Sequence, residues 1–417
     1  MFALSSKYLP IYMWMVSLLF FAYQFILRLL PGIAMQEITQ QLSINATDLG
    51  VLAAFYYYAY SGMQIPVAVL LDKCGARRVI CIFAISCGMV TLLFTYTTNF
   101  YIALLSRFLI GVCSTAGFLG VSKVISEWFD KDQYVKMMGF SFTFGLLGAI
   151  YGGKPISILV EQYQYQNVAT VLGLISIAIG ILVYLMLRSP SHLTSETVSN
   201  EQIKWSDLKF LLHSKIIWFL GICNLLMVGS LEGFADVWGI PYLVTAYDIG
   251  KSEAAGIVSL LFLGMVCGGP VIAWLSKKCG SYFMITVCGL VMTFMMMLLI
   301  MRLTNNVLLL SAFLFIIGIM CCYQVLIFAV GSDLVPPKSL GVCIAFLNSV
   351  NMLGGSFFHT LIGKAMDTFA DSETVGGTYS IITYQYALSI IPVCAFAGVI
   401  IIMGIRLSIR GSSSIIK

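Results

Sequence analysis

Charged residues are scarce in this sequence. Asp, Glu, Lys and Arg make up 10% of it, where a soluble chain carries about a quarter. A soluble multidomain enzyme is excluded on that ground, and so is a disordered chain, which needs high charge and low hydrophobicity. Long polar segments are also missing, so most loops leave no room for a further domain. The 12 cysteines contain no C-x-x-C pair and lie almost entirely in apolar stretches. They read as small buried hydrophobes, which excludes a disulfide scaffold and offers no metal site. Short segments of alternating polarity are absent, which excludes a transmembrane β-barrel. No cleavable leader pattern is present, and the first apolar run is long enough to stay as a helix. The net charge of +5 is small and its basic residues are dispersed, so nucleic acid is not an expected partner.

What remains is apolar. Hydrophobic residues are 60% of the 417, and the mean hydropathy is +0.96. A spanning helix needs about 20 apolar residues, and roughly 35 with its loop, which leaves room for ten to fourteen spans. Twelve runs stand out, at 9–35, 47–71, 78–97, 99–128, 134–159, 168–188, 215–246, 253–275, 281–302, 306–332, 339–365 and 381–406. The expected fold is an all-α membrane protein of twelve transmembrane helices, with the lipid bilayer as its solvent. Lys73, Arg77, Arg78, Lys277, Lys278, Arg406 and Arg410 then fall on one side, and Lys251 and Arg302 on the other. By the positive-inside rule both termini are cytoplasmic. Residues 189–214 form a polar linker, which divides the chain into six-helix halves at 1–188 and 215–417. Within the linker, Trp205 to Leu212 suits a short amphipathic helix at the membrane surface.

The halves repeat each other faintly. Leu70-Leu71-Asp72-Lys73-Cys74-Gly75 closes the second run and Leu275-Ser276-Lys277-Lys278-Cys279-Gly280 closes the eighth. A duplicated six-helix unit is a known transporter plan, with its site between repeats near the midplane.

With this layout, the loop Ala68-Val69-Leu70-Leu71-Asp72-Lys73-Cys74-Gly75-Ala76-Arg77-Arg78 resembles the G-x-x-x-D-[RK]-x-G-[RK]-[RK] signature of the major facilitator superfamily. Ala68 replaces the leading Gly, and Ala76 separates Gly75 from the arginines. The resemblance implies two pseudo-symmetric six-helix bundles. It also implies a conformational latch at Asp72, Lys73, Gly75 and Arg77, in which Asp72 meets a helix N-terminus or an Arg across the halves. Arg107 and Gly111 resemble the family's R-x-x-x-G element, whose Arg braces helices or responds to proton movement, and Arg107 is grouped with the latch.

Intramembrane charges face the protein interior or a wet cavity, because lipid exposure is costly. Arg28 in the first helix offers a fork suited to carboxylate or phosphate, and Tyr23 and Gln24 lie one turn away. It resembles the Arg of superfamily members that import organic anions and sugar phosphates. Lys123 precedes Trp128-Phe129 as in organic-anion symporters, although Glu127 at i+4 offers it a local pair. Glu232 and Asp236 share one helix face, and two desolvated carboxylates this close do not both ionise readily. They are the candidate proton carriers, with His359 as a third titratable group. Tyr57 and Gln64, with Tyr323 and Gln324, are candidate cavity residues; three consecutive tyrosines, Tyr56 to Tyr58, cannot all face one way.

Gly148 to Lys154 fits the spacing of a phosphate loop, but Pro155 stands where Ser or Thr must follow. ATP binding is rejected and no cofactor is expected. The same stretch partly resembles the G-P-x-x-G-G element of drug and metabolite antiporters, with Ala149 replacing its Pro. The favoured reading is a monomeric, proton-coupled carrier of a small anionic or zwitterionic solute in a bacterial inner membrane. Its helix 7 run Phe234 to Pro241 loosely resembles bacterial relatives of the lysosomal dipeptide transporter. The alternative is a proton-driven drug or metabolite efflux antiporter.

Overall fold

Backbone in hydrocarbon has no water to bond, so each apolar run must satisfy its own N–H and C=O groups. In the computed structural model the runs are accordingly helices. The structure describes residues 8–188, 213–336, 339–370 and 379–414; the linker and its short amphipathic helix fall almost wholly outside them.

The amino half holds α1 (Leu9–Ile33), α2 (Met35–Leu42), α3 (Ala46–Cys74), α4 (Ala76–Tyr96), α5 (Phe100–Trp128), α6 (Lys131–Gly152), α7 (Lys154–Tyr163) and α8 (Tyr165–Met186). The carboxy half holds α9 (Lys215–Met227), a π-helical segment (Gly229–Trp238), α10 (Gly239–Tyr247), α11 (Lys251–Cys279), α12 (Ser281–Ile300), α13 (Val307–Cys321), α14 (Tyr323–Asp333), α15 (Leu340–Thr368), α16 (Ile381–Leu388) and α17 (Ile390–Ser414). Several of these run on from one another, so that among the described residues 11 continuous helices are long and apolar enough to cross a membrane. The twelfth span is α3, whose 29 residues reach roughly 43 Å at the helical rise. Its lower hydropathy comes from the polar residues it carries, among them Ser61, Gln64 and Asp72.

The internal repeat is real at the level of backbone. Gly75 has φ 79° and ψ 153°, and Gly280 has φ 88° and ψ 141°. Only glycine enters that region freely. Each amide bonds back one turn, Gly75 to Leu71 O at 2.9 Å and Gly280 to Ser276 O at 2.8 Å. A second equivalence lies at two helix starts. Asn99 and Asn306 both N-cap the following helix through Oδ1, which satisfies amides that have no partner inside the helix.

The chain clusters into two units whose bounds are not a plain division at the linker. One comprises Met1–Leu30 and Phe55–Asn200; the other comprises Pro31–Ala54 and Glu201–Lys417. In the first, Trp14, Leu18, Phe21, Val121 and Ile125 form a buried cluster, and Trp14 Nε1 donates to Ser141 Oγ at 2.8 Å. Small residues bring its helices close, as is usual in membranes: Gly88 of α4 meets the backbone of Gly173 in α8. The glycine run of α6 serves the same purpose, because Gly148 lies against Ala22 and Gly152 against Ile26 of α1.

In the second unit, α15 lies along α9 and the π segment. Val350 covers Gly221, Gly354 meets Leu225 and Val228, and the Phe358 ring covers Gly229 and Gly233. Residues 31–54 join this unit through backbone contacts that only glycine permits. Gly32 lies against the Asp236 carbonyl, Gly50 against that of His359, and Gly363 against that of Ala46.

Candidate functional site

The amino-terminal unit gathers two arginines around a tyrosine pair. Tyr56 and Tyr57 of α3 are each 2% exposed, with ring centroids 5.4 Å apart at 80°. Tyr58 turns outward at 46% exposure, as the helical period requires. The half-buried Arg28 of α1 holds its guanidinium 5.1 Å over the Tyr57 ring and 5.8 Å over Phe25. Arg107 of α5 sits 5.0 Å over Tyr56 and donates from Nη1 to Leu27 O at 3.3 Å. Gly111 makes this approach possible by letting α5 touch the Tyr56 carbonyl. The Tyr56 hydroxyl donates to Gln24 Oε1 at 3.4 Å. Gln64 is 5% exposed, and its Nε2 has no partner among the described residues.

Other expected site residues go elsewhere. Tyr23 donates its hydroxyl to Leu172 O at 2.6 Å, tying α1 to α8. Lys123 meets Asp72 at 2.8 Å and Glu127 at 3.6 Å, so its charge is answered inside its own unit. Asp72 therefore has a lysine as its described partner. Arg77 donates from Nε to Tyr184 O at 2.8 Å and stacks 4.6 Å over that ring. A cation at the end of α8 is where the helix dipole favours one. Lys73 is exposed beside it.

The carboxy-terminal unit holds the acids. Glu232 is 0% and Asp236 1% exposed, and both lie in the π segment. There Gly239 N–H bonds Phe234 O, five residues back. Such segments are rare and frequent at functional sites. The same unit buries Asn224, Ser230, Asn351, His359 and Tyr323. Tyr323 donates to Asn224 O at 3.1 Å, and Glu232 lies within electrostatic reach of Tyr323 and Cys321. Gln324 follows at half burial. The carboxamides of Asn224 and Asn351 have no hydrogen-bond partner among the described residues. Neither amide was singled out as a candidate from the sequence, where the signal is an Asn standing within an apolar run.

The same unit carries a polar tie and a cavity. Asp367 of α15 accepts from Thr47 N at 2.7 Å and from Ala46 N at 3.3 Å. The Tyr379 hydroxyl donates to Asp367 Oδ1 at 2.6 Å. Burial, and after it the Asp367 carboxylate, push the Tyr379 phenol well above its ordinary range, so it stays a donor. Lys251 pairs with Glu37 at 2.6 Å. Beside that pair is a cavity of about 80 Å³ whose lining includes Gln36, Thr39, Thr245, Tyr379 and Tyr384. Among the described residues no group of His, Cys, Asp and Glu is arranged to hold a metal ion.

Several known proteins of similar sequence are named as transporters. The chain is 23% identical over 370 residues to "Uncharacterized transporter YybO" of Bacillus subtilis, covering 82% of this chain and 83% of that one. It is 22% identical over 287 residues to "Probable L-galactonate transporter" of Escherichia coli, covering 62% and 61%. It is 23% identical over 304 residues to "Probable galactarate/D-glucarate transporter GudP" of the same organism, covering 64% and 67%. In fold it is similar to a bacterial homolog of the human lysosomal transporter Spinster in an inward-facing, unoccupied conformation. That match has a TM-score of 0.73 at 16% identity, over 96% of both chains. The nucleoside transporter NupG matches with a TM-score of 0.77 at 12% identity, over 95% of this chain and 98% of that one. Residues 13–359 match the profile of the Major Facilitator Superfamily, and the chain belongs to that family of membrane transporters.

Proposed function

We propose that this protein is a secondary transporter that moves a small organic anion with protons by alternating access. Arg28 carries the reading. A guanidinium at half burial in a membrane helix, set over the Tyr57 ring at 5.1 Å, is placed for an anionic group, since Arg matches carboxylate geometry with two parallel donors. The substrates for which the galactonate and galactarate relatives are named support an anion over a zwitterion. Gln24, Tyr57 and Gln64 are the other candidate substrate contacts of the amino-terminal unit, and Tyr323 and Gln324 are those of the carboxy-terminal unit.

Glu232 and Asp236 are the proton carriers in this proposal. Both are carboxylates at 0% and 1% exposure in the π segment, where gaining or losing a proton changes the charge that the interior must hold. His359, equally buried, is the third candidate. Asp72, Lys73, Gly75 and Arg77 form the latch on the cytoplasmic side of an inner membrane, with Asp72 held by Lys123 in this conformation. The efflux alternative leaned on the α6 glycine run, which is used to pack α6 on α1. An export cavity for lipophilic cations also has no use for Arg28.

The test is a thermal-shift screen of carboxylates, sugar acids, sugar phosphates, dipeptides and lipophilic cations on purified protein. A ligand at 100 times its dissociation constant stabilises by about 2.7 kcal/mol. Anion hits that vanish in Arg28→Ala are expected. Hits confined to lipophilic cations and indifferent to that change would sink the proposal. In liposomes, Glu232→Gln should abolish proton-driven accumulation while leaving counterflow exchange; surviving accumulation would remove Glu232 from the coupling step.

A further inference from the structure

We propose that the corner between α11 and α12 binds the headgroup of an anionic phospholipid, in the leaflet that the positive-inside reading makes cytoplasmic. The proposal is independent of the transported solute.

This corner is the second copy of the Cys-Gly repeat, with its charge inverted. In the first copy Asp72 precedes Lys73-Cys74-Gly75; in the second, Lys277 stands in its place before Lys278-Cys279-Gly280. Asp72 pairs with Lys123 at 2.8 Å, inside its own unit. Among the described residues Lys277, Lys278 and Arg406 make no ion pair and no hydrogen bond through their side chains. The sequence explains why. Residues 254–332 and 374–417 contain no Asp or Glu, so α12, α17 and all but the first turn of α11 carry no acid. Asp333 of α14 comes within electrostatic reach of Tyr282, but it pairs with none of the three cations.

The backbone gathers these groups. Gly280, at φ 88°, turns the chain sharply, so that Lys278 and Phe283 flank one corner. α17 lies along α12, with Val399 against Gly289, and this brings the Arg406 guanidinium 5.5 Å over the Phe283 ring. Lys278 Nζ lies 3.9 Å over Trp274, one turn earlier on α11.

Both rings face outward, Trp274 at 56% and Phe283 at 41% exposure. Outward from a spanning helix is lipid, and a Trp near a helix end sits at headgroup level. A basic side chain at that depth ordinarily stretches away towards water. Lys278 and Arg406 instead lie back over lipid-facing rings, which holds two cations at the depth of the phosphates. An anionic headgroup answers the three cations while its acyl chains cover the rings. A zwitterionic headgroup brings a cation of its own and answers them less. A soluble acidic partner would leave both rings without an apolar surface.

The experiment strips purified protein of lipid in neutral detergent. It then titrates phosphatidylglycerol or phosphatidylcholine of identical acyl chains and counts bound lipids by native mass spectrometry. The wild type is expected to hold at least one phosphatidylglycerol ten times or more tightly than phosphatidylcholine. A basic side chain near an anionic headgroup contributes roughly fivefold in affinity. Lys277→Gln, Lys278→Gln and Arg406→Gln should therefore each weaken that lipid about fivefold. Together they should remove it from the count and leave phosphatidylcholine within about twofold. Lys277→Asp, which restores the charge of the first copy, should weaken it at least as far as Lys277→Gln. Lys136→Gln is the control, since it removes a cation lying 5.9 Å over Phe140 in the other unit; the tightly held lipid should stay.

Equal wild-type affinities for the two lipids would overturn the proposal, and that ratio needs no variant. A triple variant that keeps the full count, or a Lys136→Gln variant that loses the same lipid, would also overturn it. Displacement of the lipid by millimolar glycerol 3-phosphate would show a site for a soluble phosphate and overturn the membrane assignment.

Discussion

The carboxylate of Asp367 acts as the N-terminal cap of a helix more than 300 residues earlier in the chain, and removing it should loosen that helix locally. Asp367 takes the first two amides of α3, Ala46 at 3.3 Å and Thr47 at 2.7 Å. Asn45 Oδ1 takes the third, Asp48 N–H, at 2.9 Å. Those amides have no partner within the helix. Hydrogen bonds to a charged acceptor contribute about 1.5–3 kcal/mol, and a negative charge at a helix N-terminus adds a few tenths to one. Asp367 is half-buried, so solvent takes part of this back. A net of about 2 kcal/mol is reasonable, or roughly 30-fold in the local opening equilibrium. Hydrogen exchange on Asp367→Ala should therefore show the amides of residues 46 to 54 exchanging about 30 times faster. The amides of Ala76–Tyr96 in the other unit serve as the internal control. Unchanged protection over 46–54 would refute the capping role. Uniform acceleration across both units would show that the substitution acted on global stability instead.

Gly363→Ala should lower the yield of folded protein sharply, because its new methyl would stand 2.5 Å from the Ala46 carbonyl oxygen; normal yield and melting would show that the two helices part at no cost. Gly75→Ala and Gly280→Ala should each cost about 1–2 kcal/mol for conformational reasons alone, since nothing lies within 4 Å of either added methyl. Chemical denaturation that separates the two variants widely would show that something other than backbone geometry holds one of them. Lys251→Ala should cost under about 1 kcal/mol, because the pair with Glu37 is partly exposed at 21% and 33%. A melting-temperature loss that survives high salt would contradict that assignment.

The spans were legible because period and length speak plainly when nearly every residue is apolar. The Cys-Gly repeat also survived into the structure, because a glycine at φ near +80° leaves the same local signature twice. The fate of the polar residues was less legible. Tyr23 and Arg28 sit on one helix, yet Tyr23 is spent on a carbonyl of α8. Spacing offered Lys123 only Glu127, while Asp72, 51 residues earlier, is its shorter contact. The attachment of residues 31–54 to the carboxy-terminal unit depends on contacts across more than 300 positions, such as Ser356 Oγ to Ala54 O at 3.0 Å. No local pattern encodes those.

The π-helical segment Gly229–Trp238 also bears on how this chain can vary. A turn closed five residues back holds roughly one residue more than an α turn over a shorter advance. One residue inside 229–238 is therefore surplus to the length that the helix must span. Its deletion would let the backbone relax to ordinary α pitch, while the ends at Lys215 and Tyr247 stayed near their places. An insertion or deletion of one residue is normally ruinous within a membrane helix, since it rotates everything beyond it by about 100°. Here it would be absorbed within the segment, and its consequence would be confined to the register of Glu232 and Asp236. Single-residue length changes among related chains should accordingly concentrate in this stretch and be rare in the other spans, and those that occur should alter the placement of the two acids without altering the fold.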